Sequence, residues 1–197
     1  MSPSVDRWTC ATCGRENPVK TLLCAGCGRP LGSDDAVEIS GVQMTGRDWG
    51  TLLLAPLWVF FGVAGADGRV DHSEVATLRD LHRHAERTDE PLFLAIATVL
   101  RADFWGVVDR HETDGRSVRR GLADTRGVLE ARLSAPRAER IRVALVRVGV
   151  SVARASTLSF LGMGSRIHDD EMRVLGDIAA ALGLTGSERR DLGLPPA

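Results

Sequence analysis

The chain has 197 residues, 44% of them hydrophobic, and a formal net charge of -1 at pH 7. That length holds one ordinary domain plus a small module. The near-balance of charge excludes a uniformly basic or uniformly acidic protein.

All four cysteines, Cys10, Cys13, Cys24 and Cys27, fall in the first 27 residues. None remains for a disulfide or a nucleophile elsewhere. No basic-then-apolar leader pattern is present at the N-terminus, so a cytoplasmic protein is expected. Lys20 is the only lysine, and the remaining positive charge is arginine, a planar and bidentate donor wherever it clusters.

The first segment reads Trp8-Thr9-Cys10-Ala11-Thr12-Cys13, then ten residues, then Cys24-Ala25-Gly26-Cys27-Gly28-Arg29-Pro30. Each Cys-x-x-Cys pair forms a tight knuckle that aims two thiolates at one point. Two knuckles complete a tetrahedral sulfur set suited to zinc. With no open coordination position, such a site is structural rather than catalytic. So short a segment cannot bury a sizeable core, and metal binding supplies on the order of 10 kcal/mol of folding energy to peptides of this kind. Four thiolates and one divalent zinc leave two negative charges, which Arg7, Arg15, Lys20 and Arg29 are placed to offset.

Trp8 two residues before Cys10, and Asn17 between the pairs, resemble the zinc finger of the Ran-binding nucleoporin type over residues 6–30. The resemblance implies that Trp8 packs on the finger and that Asn17 ties the knuckles together by hydrogen bonds. It also implies a ligand, either single-stranded RNA or ubiquitin. The ubiquitin binders carry Thr-Phe after the second cysteine, where this chain has Gly14-Arg15. The RNA binders carry an aromatic residue between the knuckles for base stacking, where this chain has Pro18-Val19-Lys20-Thr21-Leu22-Leu23. Leu22 and Leu23 suggest instead an apolar patch that docks on a protein partner or on the rest of the chain.

Residues 31–46, rich in Gly, Ser and Asp, are expected to be a flexible tether, with Ala36–Ile39 as a short extended piece. From Arg47 the periodicity is helical, and no β pattern stands out through residue 192. The apolar run Leu52–Ala66 is shorter than the ~20 residues of a membrane span. It predicts a buried core helix, kinked or restarted at Pro56, with peripheral membrane contact as an alternative. Further helices are predicted around Val75–Ala85, from Pro91 through Leu100, around Val118–Leu133, from Pro136 through Val152, and around Met172–Leu182. His111–Gly115 is predicted as a loop, and Gly183 as a helix stop.

Ala66-Asp67-Gly68-Arg69-Val70-Asp71-His72-Ser73-Glu74 is echoed by Gly164-Ser165-Arg166-Ile167-His168-Asp169-Asp170-Glu171 at a shift of 97 residues, which makes a weak internal repeat. The acidic turn resembles that of the TerB-like family associated with tellurite resistance and stress response. The likeness implies an all-α helical bundle over residues 47–192, non-enzymatic, linked to divalent metal and to larger, often membrane-associated assemblies. In the second copy Gly164-Ser165 replaces Asp-Gly. Two readings of the turns follow. Asp67, Asp71, Glu74, Asp169, Asp170 and Glu171 could supply carboxylates to a second divalent ion, calcium or magnesium. Alternatively, Asp71 with Glu74, and Asp169 with Asp170, cap helix starts and suit the positive end of a helix dipole.

Between Arg116 and Arg154 ten arginines face three acids, Asp124, Glu130 and Glu139. Arg119, Arg120, Arg126, Arg137 and Arg140 are candidates for an anion-binding face, and a solvated set of helix faces is the alternative. No catalytic constellation appears, so no enzymatic activity is expected. The composite expectation is a zinc-binding protein-assembly module with an unidentified protein partner. The alternative is nucleic-acid binding through the finger and the arginine-rich stretch.

Overall fold

The structure, a computed structural model, is described for residues 6–65, 76, 81–161 and 167–195; the side chains of residues 82–84 and 156–161 lie outside that description. The chain is mostly helical, with one small antiparallel sheet near the N-terminus. The sheet holds β1 (Arg7–Thr9), β2 (Glu16–Pro18), β3 (Ala36–Ile39) and β4 (Val42–Thr45), in the order β2-β1-β3-β4.

The segment expected as a tether is therefore structured. β3 pairs with β1, Trp8 opposite Val37, and then turns back to pair with β4. The physical reason is a period-two pattern. Val37, Ile39, Val42 and Met44 are all buried, while their neighbours Ala36, Gln43 and Thr45 are exposed. Ser40 and Gly41 make the two-residue hairpin loop with φ of 52° and 77°. Positive φ at both positions is the turn whose twist matches paired strands. The Asp6 carboxylate accepts from the Ser40 N–H at 2.7 Å and fastens the hairpin tip to the start of β1.

β4 leads into α1 (Gly46–Ala64) with no intervening loop, because Thr45 ends the strand and caps the helix. Helix first turns leave N–H groups without intrahelical acceptors, and here the preceding segment supplies them. The Gly46 N–H donates to the Asp35 carbonyl at 2.7 Å and the Arg47 N–H to the Ser33 carbonyl at 3.1 Å. Thr45 and Asp48 complete a capping box.

The remaining helices among the described residues are α2 (Leu81–Thr88), α3 (Pro91–Ala102), α4 (Phe104–Asp114), α5 (Val118–Arg132), α6 (Ala135–Leu161), α7 (Asp169–Ala181) and α8 (Gly186–Asp191). α1 is the axis of the bundle and touches α3, α4, α5, α6 and α7 as well as β3 and β4. Every residue from Thr51 to Phe60 is buried, as expected of a helix surrounded on all sides. That environment carries the helix through Pro56 without interruption, so the predicted restart does not occur. His111–Asp114, predicted as a loop, forms the last turn of α4, and Gly115 ends it in a left-handed conformation. His111 stacks on Phe61 with ring centroids 4.7 Å apart, which explains why this polar stretch stays helical.

No single helix among the described residues is long and apolar enough to cross a membrane. α3 and α4 reach that length and apolarity only as a pair, across a bend of 100°. The first copy of the acidic turn, Asp67, Asp71 and Glu74, lies outside the described residues, as does the Gly164–Arg166 part of the second.

Candidate metal centre

The two knuckles are built alike. Each is Cys-x-x-Cys-Gly-Arg, at Cys10–Arg15 and at Cys24–Arg29. Gly14 and Gly28 adopt φ of 72° and 73°, a conformation that glycine reaches at no steric cost. Their N–H groups donate to the Cys10 and Cys24 carbonyls, both at 2.8 Å. The Cys10 and Cys24 N–H groups donate in turn to the Arg15 and Arg29 carbonyls, at 3.0 and 2.8 Å. Four short backbone bonds thus fold two identical turns that present their thiols to each other.

The four sulfurs lie within 4.8 Å of one another. Cys10 Sγ is 3.7 Å from Cys27 Sγ, and Cys13 Sγ is 3.5 Å from Cys24 Sγ. Four sulfurs held at ~2.3 Å around a central tetrahedral zinc would be about 3.8 Å apart. The thiols are too far apart for disulfides and at the separation that a metal ion requires. The residues present therefore fit an ion such as zinc.

Asn17 is buried and spans both knuckles. Its amide N–H donates to the Arg15 carbonyl at 2.9 Å and to Cys24 Sγ at 3.6 Å, and its oxygen accepts from the Ala25 N–H at 2.9 Å. Trp8 is wholly buried, and its indole N–H donates to the Thr21 carbonyl at 2.8 Å. Leu22 is buried, while Leu23 is 61% exposed.

Charge in the cluster is uneven. Cys24 is lowered to about 6, chiefly by the backbone N–H of Cys27, with further donors from Gly26 and Asn17. Cys10 is also lowered. Burial opposes its ionisation, but the N–H groups of Cys13 and Thr12 and the Arg29 guanidinium favour it more. Cys13 is pushed up to about 11: the Arg15 N–H pulls it down, but the neighbouring Cys24 and burial outweigh that. Thiols so close together cannot all ionise without a cation among them.

Two residues beyond the predicted ligand and support set complete the centre. The Asp35 carboxylate is fully buried and accepts from the Ala11 and Gly32 N–H groups, both at 2.7 Å, and from Arg29. The Arg29 charge in turn favours the ionised form of Cys10. The knuckle, the counter-charge and the chain leaving the finger are thereby joined. Of the predicted counter-charges, Arg7 is taken by Glu38 at 3.2 Å and Glu16 at 3.6 Å, and Arg15 lies with its side-chain carbons against the second knuckle. Arg29 was among the counter-charges expected from the sequence. Nothing local marks Asp35.

The other predicted site residues do not converge on a ligand. Glu171 is buried and its carboxylate accepts from the His168 N–H at 2.9 Å, closing the start of α7; Asp170 pairs with Arg173 at 3.3 Å. Asp169 joins them in the first turn, where the acidic charge suits the helix dipole. Among the described residues, no group of three His, Cys, Asp or Glu side chains other than the cysteines comes close enough to share an ion.

The predicted anion-binding face is for the most part neutralised by the protein itself. Arg120 pairs with Asp124 at 3.0 Å and Arg126 with Glu130 at 2.8 Å. Arg137 and Arg140 both reach Glu90, at 2.6 and 3.1 Å. Arg119 stands apart, at the rim of an apolar groove lined by Phe61, Leu122 and Ile178. These five arginines thus form no common face.

Compared with protein-family models, curated proteins and solved structures, the chain finds no match in any of the three.

Proposed function

We propose that this chain is a non-enzymatic, zinc-binding assembly protein, in which the metal builds a docking module fixed rigidly to a helical bundle. The observation that carries this reading is the sulfur cluster, whose separations of 3.5 and 3.7 Å suit tetrahedral coordination. The ion is closed off by four protein ligands and holds structure rather than substrate. Leu23, exposed on the second knuckle, is the apolar contact offered to a protein partner. The commitment of Arg120, Arg126, Arg137 and Arg140 to carboxylates favours a protein over a nucleic acid as that partner.

The proposal extends to the TerB-like character of the bundle and to its link with divalent metal and stress response. Its support is the likeness of residues 66–74 to that family's acidic turn. Metal analysis tests both parts. Purified wild-type protein should carry one zinc per chain, and Cys24→Ser should carry none. A wild-type chain without stoichiometric zinc would defeat the first part. The second part expects calcium or magnesium in addition, lost in Asp67→Ala/Glu74→Ala. Zinc alone in both proteins defeats it.

A further inference from the structure

A polar crevice of about 490 Å³ lies between the chain leaving the finger and the bundle, and takes no part in the metal centre. Its walls are the chain leaving the finger at Gly32 and Ser33, the first turns of α1, and the C-terminal half of α4. Three guanidinium groups, those of Arg47, Arg110 and Arg116, share it with one carboxylate, Asp114.

That carboxylate is already engaged. Arg116 grips Asp114 through Nε and Nη2, both at 2.7 Å, so the two cancel. Arg47 and Arg110 are left over. Arg47 is exposed and has no carboxylate partner among the described residues. Arg110 donates Nη2 to the Leu31 carbonyl at 2.7 Å. Its Nη1 is buried and finds no acceptor among the described residues. A buried charged donor without an acceptor is costly, and a ligand that supplies one removes the cost. Burial holds the Arg110 pKa below its ordinary value and outweighs the opposing pull of the Asp103 carboxylate. The N–H groups of Gly46, Arg47 and Asp48 are spoken for by Asp35, Ser33 and Thr45, so the arginines are the donors that remain. The Thr51 hydroxyl, which accepts from Arg116 at 3.2 Å, keeps its own proton to donate.

We propose that this crevice binds a phosphate-class oxyanion, free or esterified, between Arg47 and Arg110 with Thr51 beside them. The donors arrive from two different helices. A tetrahedral anion can meet donors from several directions, whereas the two oxygens of a carboxylate share one plane.

The test is calorimetric titration of the zinc-loaded full chain with inorganic phosphate, against chloride at matched ionic strength. Saturable phosphate binding is expected. Arg47→Ala should weaken it about tenfold or more, the loss expected of a charged hydrogen bond. Arg110→Met is the more direct variant but risks the fold, so Gly50→Glu carries the decision. Gly50 lines the crevice and a Cβ there meets no atom within 4 Å, so a side chain can start from this position and bring a negative charge to the site. It should abolish binding. Arg154→Ala, in a different concavity, should leave binding unchanged. Competition by methyl phosphate identifies an esterified ligand, and its failure to compete restricts the site to the free ion. Heat no greater than that of chloride overturns the proposal. So does phosphate binding that survives both Arg47→Ala and Gly50→Glu.

Discussion

Glu90 shows how the arginine excess of this chain is spent. Its side chain has no exposed surface, yet it receives Arg137 at 2.6 Å and Arg140 at 3.1 Å. Burial works against the charged form, but the two guanidinium groups, Arg137 first, hold its pKa below the usual carboxylate range. A carboxylate whose folded pKa is depressed stabilises the fold above its unfolded value, ~4.3 for glutamate, and loses that effect as pH falls through the folded value. Glu90→Gln should cost about 1–3 kcal/mol at neutral pH, reduced from a fully buried pair because both arginines are partly solvated. Thermal melts of the two proteins should converge as the pH is lowered through that acid range; a gap that stays constant would remove the ionic explanation. The sequence shows the arginines but not their carboxylate, which sits 47 residues before Arg137. Asp35 was hidden for the same reason, since its partner Ala11 lies 24 residues away. The cysteine ligands were legible because their spacing is itself the geometry.

At the scale of elements, the helices of the bundle followed from apolar periodicity and Ala36–Ile39 was expected to be extended, while β4 and the pairing of β3 into a sheet were missed. Glycine, serine and aspartate on either side dominated the composition of residues 31–46, and strands of only four residues leave a weak alternating signal. Ser40-Gly41 between Val37/Ile39 and Val42/Met44 was the local cue to a hairpin. Pro56 does not end the helix as a restart would require, because burial on every side outweighs one lost hydrogen bond. The packing of α5 on α1 depends on a detail that periodicity cannot reveal. A Cβ at Gly121 would stand 2.2 Å from the buried Trp58 ring. Gly121→Ala gains about 1 kcal/mol of helix propensity. The overpacking costs typically 1–3 kcal/mol and falls here on a rigid ring, at the upper end of that range. Net destabilisation is therefore expected in a denaturant titration; an unchanged or raised midpoint would show that the interface yields freely.

For the molecule as a whole, the finger and the bundle are mechanically one. Arg110 of α4 holds the carbonyl of Leu31, just past the second knuckle, at 2.7 Å. β4 packs on both α1 and α5. Removing the metal should therefore reach beyond the finger. Chelation is expected to lower the midpoint of helix unfolding, followed by circular dichroism, as well as to release zinc. A helical transition indifferent to chelator would mean that the two parts melt independently.

Thr45 is at once the last residue of a strand and the cap of the central helix. A sheet and a helix that meet at one residue leave no hinge, so the partner proposed for Leu23 would meet a surface held in a fixed bearing to the bundle axis. The finger then behaves less like a hook on a line than like the blade of a key, whose orientation is set by its shaft.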